Sequence, residues 1–252
     1  MTHPERVLAA LLVLSLGPLP LLAEPIPDHV PRADVQRTAG PIAVDGVLDE
    51  PSWAAAPMID GFVFPWYTTG AKDRTEAHLL WDDDALYIAF RAFDPHISAV
   101  HTERDDPVSR DDCVEVFIAP DTADVSIYYN FEFNALGTIL DRSPREGRSS
   151  SWNADGLRVA IEIHGTLNEE TDLDSLWTTE IAIPFDTFEG FAPRLPPEDG
   201  DLWRLNLYRT GGAVNLQYIT WSDTGTEKPQ FHAPEGFGVV RFSEDPVAAA
   251  PD

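Results

Sequence analysis

Short runs of alternating apolar and polar residues recur along most of this chain. The clearest is Ala85–Phe93, in which Leu86, Ile88 and Phe90 fall two residues apart and therefore share one face of a strand. Seven similar segments are bounded by Asp, Gly or Pro clusters: 75–81, 113–119, 128–134, 157–163, 177–183, 203–209 and 238–242. Short strands separated by turn signals predict an all-β, two-sheet antiparallel sandwich.

Helical periodicity is weak, and the pattern favours one short helix near residues 48–56, with Asp49 as its candidate N-cap. The Pro-rich residues 24–40 predict an extended lead-in, residues 41–243 a single sandwich domain, and residues 244–252 a tail. Residues 1–23 predict a secretory signal peptide, since a short apolar run is followed by helix breakers and Ala23. The chain is therefore expected to be secreted or periplasmic.

The charge balance narrows the range of partners. The 252 residues include 17 Lys+Arg and 43 Asp+Glu, a formal net charge of −26. Nucleic-acid binding requires a basic patch, so this class is excluded, and anionic membrane surfaces would repel the chain. The 43% of hydrophobic residues are enough for a core. Cys113 is the only cysteine, so no intrachain disulfide forms, and its apolar strand predicts a shielded thiol.

Polar residues occupy one face of several predicted strands. Asn130, Glu132 and Asn134 alternate with Phe131 and Phe133 in segment 128–134. Segments 113–119 and 203–209 add Glu115, Arg204, Asn206 and Tyr208. Amides, carboxylates and guanidinium groups donate and accept hydrogen bonds in fixed directions, which suits a hydroxyl-rich ligand. The alternative is an ordinary solvated outer face of a sandwich.

Two tryptophans fall in predicted loops rather than in strands. Trp66 lies in the segment FPWYTTG and Trp152 in SSSWNADG. Loop aromatics serve either as stacking platforms for sugar rings or as lids over the core, and both readings remain open here.

Several segments resemble the family 9 carbohydrate-binding modules, a branch of the DOMON-like sandwiches. They include IAVDGVLDEPSW at 42–53, LLWDDDALYIAFRAFDP at 79–95, SRDDCVEVFIAP at 109–120, YYNFEFNALG at 128–137, WTTEIAIPF at 177–185, WRLNLYR at 203–209 and FHAPEGFG at 231–238. The segments follow the family order from residue 42 to residue 242. The resemblance implies a two-sheet sandwich that binds sugars without catalysis and often carries structural calcium.

The same resemblance implies a set of ligand-binding residues. Glu115 and Asn134 match polar positions of the family, and Glu132 replaces its arginine. The family clamps a sugar between two tryptophans, whose positions fall here at Ser109 and Phe231. The predicted ligand-binding set is completed by Asn130, His232, Trp66 and Trp152, the two tryptophans being candidates for the missing aromatic face.

Metal and cofactor predictions have less support. No cofactor is required, and calcium rests mainly on the resemblance, with Asp82, Asp83 and Asp84 in one acidic turn as the candidate ligands. Haem binding is an alternative because relatives in the wider superfamily hold haem b; the candidate axial ligands are Met58 and the histidines, among which no spacing marks a pair. Glycoside hydrolysis, directly or as an accessory domain, is a third hypothesis, although no hydrolase motif is present.

Overall fold

The computed structural model describes residues 26–144 and 152–248. The predicted signal peptide and the end of the predicted tail lie outside them. The described strands are β1 Arg32–Arg37, β2 Met58–Ile59, β3 Thr75–Trp81, β4 Ala85–Phe93, β5 Cys113–Ala119, β6 Tyr129–Asn134, β7 Ile139–Arg142, β8 Arg158–His164, β9 Leu176–Pro184, β10 Leu202–Thr210, β11 Tyr218–Thr220 and β12 Gly238–Pro246. A helix α1, Pro51–Ala55, and 3₁₀ turns at Val108–Arg110, Phe185–Phe188 and Pro234–Gly236 join them.

The strands form a curled sheet whose two ends pack against each other as a two-layer sandwich. Their order is β7-β6-β5-β10-β12-β1-β3-β4-β9-β8, with β11 on β10 and β2 on β3. The all-β prediction is confirmed, and the strand segments agree to within a few residues. Two pairings differ from the antiparallel expectation, because β1 runs parallel to both β12 and β3. This strand lies inside the predicted lead-in, and the sheet extends to Pro246 inside the predicted tail.

The core lies between the two layers and takes one face of each main strand. Val114 and Val116 of β5 and Phe131 and Phe133 of β6 are fully buried. They belong to one cluster with the inward residues of the facing layer: Ala77, Leu79, Trp81, Leu86, Ile88, Phe90, Trp177, Ile181 and Ile183. This burial is the main favourable term of folding and determines which face of β5 and β6 points outward.

The outer face of the β3-β4-β9 layer is covered by the chain between β1 and β2. Trp53 packs there on Leu80 and Tyr87. Glu180 of β9 holds this segment, because its carboxylate accepts hydrogen bonds from Trp53 Nε1 at 2.7 Å and from the backbone of Gly46 at 2.8 Å. The segment 42–53 is therefore a cover for the sheet.

The start of α1 differs from the sequence expectation. Asp49 does not cap the helix; Glu50 occupies the N-cap position and makes no side-chain capping bond. The Glu50 carboxylate instead accepts the backbone N–H of Ala43 at 2.8 Å. Pro51 begins the helix, where its missing N–H leaves no donor unpaired. Within the described ranges, no helix is long and apolar enough to cross a membrane.

We expect Gly46→Ala to destabilise the fold. Gly46 has φ +92°, and a Cβ there would lie 2.7 Å from the backbone carbon of Ile161. Left-handed backbone strain and this clash together should lower the free energy of unfolding by about 2–4 kcal/mol. The matched control is Gly200→Ala, because Gly200 has φ +87° with open space around it. Chemical denaturation measures both variants; an equal loss in the two would show that the contact with Ile161 contributes nothing.

Candidate functional site

The outer face of β5, β6 and β10 brings the predicted polar residues into rows. Glu115 of β5 lies directly opposite Glu132 of β6 and, on the other side, opposite Tyr208 of β10. In the next row Asn130 lies opposite Phe117. Because the alternate residues of the same strands are in the core, these side chains all point away from it.

This face is buried rather than solvated, which removes the alternative of an ordinary outer surface. Glu115 is 2% exposed and Glu132 is 6% exposed. Phe117 and Tyr208 form a small cluster with Phe237, against which Phe231 and Tyr128 pack. The cover on one side is the segment 231–237, and on the other side the loop before β5 contributes Ser109, whose hydroxyl bonds to Glu132.

A pocket of about 400 Å³ opens beside Glu132. Asn130 and Glu132 line its floor, and Tyr128, Arg142 and His232 line its walls. The Tyr128 hydroxyl lies 2.9 Å from Nδ1 of His232, and Asn130 Nδ2 donates to Glu132 Oε1 at 3.0 Å. A small ligand in this pocket would meet amide, carboxyl, hydroxyl and guanidinium groups together.

Two buried oxygen atoms at this place have no hydrogen-bond partner among the described residues. They are Oε1 of Glu115 and Oε2 of Glu132. The large majority of buried polar atoms in proteins are paired, so orphaned oxygens next to a pocket require an explanation. Of the two residues only Glu132 lines the pocket, so its carboxyl group is the one that a hydroxyl-bearing ligand there would meet.

Burial also changes the protonation of this carboxyl pair. Loss of hydration, followed by repulsion from Glu132, holds the pKa of Glu115 well above its ordinary value. Loss of hydration raises the pKa of Glu132 to about 7, against hydrogen bonds from Ser109 and Asn130 and the charge of Arg142. Both shifts favour the protonated form of the carboxyl group, which can donate as well as accept hydrogen bonds.

Arg142 is a pocket residue that the sequence reasoning did not identify. It lies on β7 directly opposite Asn130 and its guanidinium donates to Asp105 at 2.9 Å. Glu132 replaces the arginine that the family resemblance led us to expect on β6. The structure delivers a guanidinium to the same pocket from the next strand. Gly137 was the available signal in the sequence, because a glycine directly after a strand segment predicts a hairpin turn. In the structure Gly137 has φ +79°.

The aromatic residues Phe231 and Trp66 lie on the same side of the sheet. The Phe231 ring stacks on Tyr208 with centroids 4.2 Å apart, and the Trp66 ring centre is 6.1 Å from that of Phe231. His232 continues the same segment into the pocket. The structure thus brings together Glu115, Glu132, Asn130, His232 and Phe231, while Trp66 lies next to Phe231 and outside the lining of the pocket.

Asn134 is not available to a ligand in this arrangement. Its Nδ2 donates to the carbonyl of His101 and to Asp111, each at 2.8 Å. Its Oδ1 accepts the backbone N–H groups of Leu136 and Thr138. All four hydrogen-bonding positions of the amide are used, and the residue is fully buried. Asn134 therefore ties the loop before β5 to the β6-β7 turn.

Trp152 lies away from the carboxyl pair. It packs against the core, 5.7 Å from the Tyr129 ring, and lines a different pocket of about 870 Å³ with Pro184 and Asp186. Tyr129 points inward from β6, whereas Asn130 and Glu132 point outward. Trp152 consequently cannot form the missing aromatic face for the pocket at Glu132.

The acidic turn predicted as a calcium site has other contacts. Asp82 accepts hydrogen bonds from the backbone of Asp84 and Ala85 and from the Tyr87 hydroxyl. Asp83 pairs with Arg37. In the part of the chain that the structure describes, no group of three His, Cys, Asp or Glu residues is arranged to hold a metal ion. Asp82 and Asp83 are therefore engaged within the chain, and calcium binding at this turn stays a prediction.

The haem hypothesis gains no support from its candidate ligands. Met58 and His78 are cross-strand neighbours on β2 and β3, so both lie on one face of the sheet instead of on opposite sides of a slot. His78 Nδ1 bonds to the Ala56 carbonyl, and His232 bonds to Tyr128. Cys113 is buried, as its strand predicted.

The fold and this polar, aromatic-walled pocket define a β-sandwich of the carbohydrate-binding-module class. The family model described as carbohydrate-binding family 9 matches residues 47–242. The chain therefore belongs to carbohydrate-binding family 9. A search of curated proteins finds no match at the significance level applied.

Solved structures share the fold. A protein of Bacteroides uniformis ATCC 8492 for which carbohydrate binding has been suggested superposes with a TM-score of 0.71 at 24% identity, covering 85% of this chain and 100% of that one. A family 9 module of Caldicellulosiruptor kristjanssonii, solved with cellotriose, has a TM-score of 0.62 at 15% identity over 88% and 98% of the two chains. A family 9 module of the same organism, solved with glucose, gives 0.61 at 14% over 87% and 100%.

The buried carboxyl pair should make the stability of the protein depend on pH. Glu132 has its pKa raised from 4.5 to about 7 in the folded chain, so between these values the folded state binds more protons than the unfolded state. The free energy of unfolding therefore falls as pH rises through this window. Glu132→Gln has no titrating carboxyl group at this position, so its free energy of unfolding should be about 1–3 kcal/mol higher than that of wild type at pH 8. This difference should vanish near pH 4.5.

Urea denaturation at several pH values measures this difference. Glu170→Gln is the matched control, because Glu170 is exposed between β8 and β9. A gain for Glu132→Gln that does not change between pH 5 and pH 8 would contradict the raised pKa.

Proposed function

We propose that this chain is a secreted, non-catalytic carbohydrate-binding protein and that it holds a neutral sugar in the pocket lined by Asn130 and Glu132. The observation that carries the proposal is the convergence of Asn130, Glu132 and Arg142 on this one pocket. Sugar hydroxyls both donate and accept hydrogen bonds, so they are suited to a lining that presents amide, carboxyl and guanidinium groups together.

The other groups around the pocket support a sugar as the ligand. Asn130 supplies an amide and Arg142 a guanidinium, while Tyr128 and His232 supply rings against which the C–H groups of a sugar can pack. The net charge of −26 disfavours an acidic sugar. Family 9 modules have been solved in complex with glucose and with cellotriose, and both of these neutral sugars support a neutral sugar as the ligand here.

The position of the two carboxyl groups supports binding without catalysis. Glycoside hydrolases place their two carboxyl groups on either side of the bond they cleave. Here Glu115 and Glu132 are cross-strand neighbours on one sheet face, and Glu115 is almost fully buried. They therefore approach a ligand from one side.

We expect the polar groups that line the pocket to contribute to sugar affinity. Glu132→Ala and Asn130→Ala each remove a hydrogen-bonding group from the lining and should weaken binding of glucose or cellotriose about 5- to 150-fold. Titration calorimetry on the mature protein measures the affinities, and a glycan array extends the panel to other neutral sugars. Glu170→Ala, at an exposed position, is the control.

The outcome that would overturn this assignment is wild-type affinity in both variants with the fold intact. The same samples, incubated with cellotriose, test catalysis. Accumulation of new reducing ends with time would contradict the non-catalytic function and leave the binding site standing.

Export is supported by the pattern of residues 1–23, a short apolar run after Arg6 that ends at Ala23. We expect the mature protein to begin near Glu24 when the full chain is expressed in a secreting host. N-terminal sequencing of the material outside the cytoplasm checks this; recovery of the chain in the cytosol with Met1 retained would contradict it.

A further inference from the structure

A second concavity lies beside the pocket at Glu132 and contains more aromatic rings. It encloses about 520 Å³ between the loop 64–69 and the segment 216–229. Phe64, Trp66, Tyr67 and Tyr218 supply four rings to its lining. This concavity is called the aromatic groove below.

The rings of the aromatic groove are held in place by their own loops. Trp66 Nε1 donates to the Thr226 carbonyl at 2.8 Å, and the Tyr67 hydroxyl donates to the Gly70 carbonyl at 2.8 Å. The Lys72 ammonium lies 4.5 Å from the centre of the Tyr67 ring and 5.1 Å from that of Phe64. Because the polar atoms of Trp66 and Tyr67 are engaged within the chain, these side chains can offer a ligand chiefly their ring faces.

Gln217, on the floor of the groove, also has its hydrogen-bond partners within the chain. Gln217 is 7% exposed, its Oε1 accepts the backbone N–H of Asp73 at 3.1 Å, and its Nε2 donates to the Asp73 carboxylate. Hydrogen bonds to a ligand would come from the exposed rim, where Thr68, Thr69 and Glu227 lie. The groove is therefore built for stacking, with hydroxyl contacts at its edge.

The aromatic groove and the pocket at Glu132 have one chain segment, residues 227–232, as a common wall. Residues 227–229 form a wall of the groove, and His232 of the same segment forms a wall of the pocket. Between them Phe231 lies 6.1 Å from Trp66 on one side and stacks on Tyr208 on the other. A ligand chain leaving the pocket across Phe231 would reach the groove directly.

We propose that the aromatic groove is a second sugar subsite that stacks a further ring of the oligosaccharide whose first ring occupies the pocket at Glu132. This inference rests on the proposed function. It commits the ligand class to neutral oligosaccharides of two or more rings. The two concavities divide the selectivity: the pocket distinguishes hydroxyl positions through Glu132 and Asn130, and the groove accepts any ring with an apolar face.

The test compares ligands of increasing length. Wild type should bind cellotriose at least about 10-fold more tightly than glucose, because the longer sugar reaches both subsites. Trp66→Ala should remove most of this increment while glucose affinity changes less than about 3-fold. Tyr67→Ala, at a residue that is 45% exposed, should remove part of the increment and is a second variant in case the first fails to fold. Leu173→Ala, which shortens a 78% exposed apolar side chain outside both concavities, is the matched control and should bind as wild type does.

The failures of the two proposals are distinguishable in these titrations. Equal affinities of wild type for glucose, cellobiose and cellotriose, or a full increment retained in both Trp66→Ala and Tyr67→Ala, would overturn the second subsite while the pocket remains. Loss of both glucose and cellotriose in Glu132→Ala would support the pocket as the first subsite. Wild type that binds none of these sugars would overturn both proposals.

Discussion

The register between β5 and β6 is the constraint on which the candidate site depends. Val114 and Val116 of β5 and Phe131 and Phe133 of β6 are fully buried in the core. Strand geometry then places the intervening Glu115 and Glu132 next to each other on the outer face. A slip of either strand by one residue would turn its own carboxyl group into the core and its apolar side chains outward, which is strongly disfavoured. Packing energy thus holds two carboxyl groups in contact despite their mutual repulsion.

That arrangement has an energetic cost which the neighbouring residues only partly offset. Ser109 and Asn130 bond to Glu132, and the charge of Arg142 lowers its pKa, yet burial still raises it to about 7. Glu115 has no comparable support, since burial and repulsion from Glu132 both raise its pKa. Buried polar groups left partly unsatisfied are typical of functional sites, where structural stability is sacrificed for binding. The pocket beside these two residues is where a ligand would recover this energy.

The segment 226–237 connects the parts of the site that the sheet alone would leave separate. It covers Phe117 and Tyr208, supplies His232 to the pocket, and accepts the Trp66 indole N–H at Thr226. Hydrogen bonds to its backbone help to hold the segment in place, such as the one that the Tyr208 hydroxyl donates to the Phe231 carbonyl at 2.8 Å. Rigid strands therefore carry the polar groups, and a loop anchored on those strands carries the aromatic ones.

The alternation of apolar and polar residues determined the fold class and the strands, because burial of one face imposes a period of two that can be read directly. It also determined that Asn130 and Glu132 share a face. Strands β1, β2, β7 and β11 were not predicted, because they are only two to six residues long. In addition, β1 pairs with β12, which lies far away in the chain.

What the sequence could not determine is how each polar residue is used. Asn130 and Asn134 are both asparagines on the same face of β6. The amide of Asn134 is fully bonded to the loop before β5, however, while Asn130 lines the pocket. Trp66 and Trp152 both lie in loops, yet Trp66 lies beside Phe231 and Trp152 packs against the core near Tyr129. Periodicity and composition are local properties that can be read from one strand alone. The contacts of a side chain, by contrast, depend on segments far apart in the chain that only the folded sheet brings together.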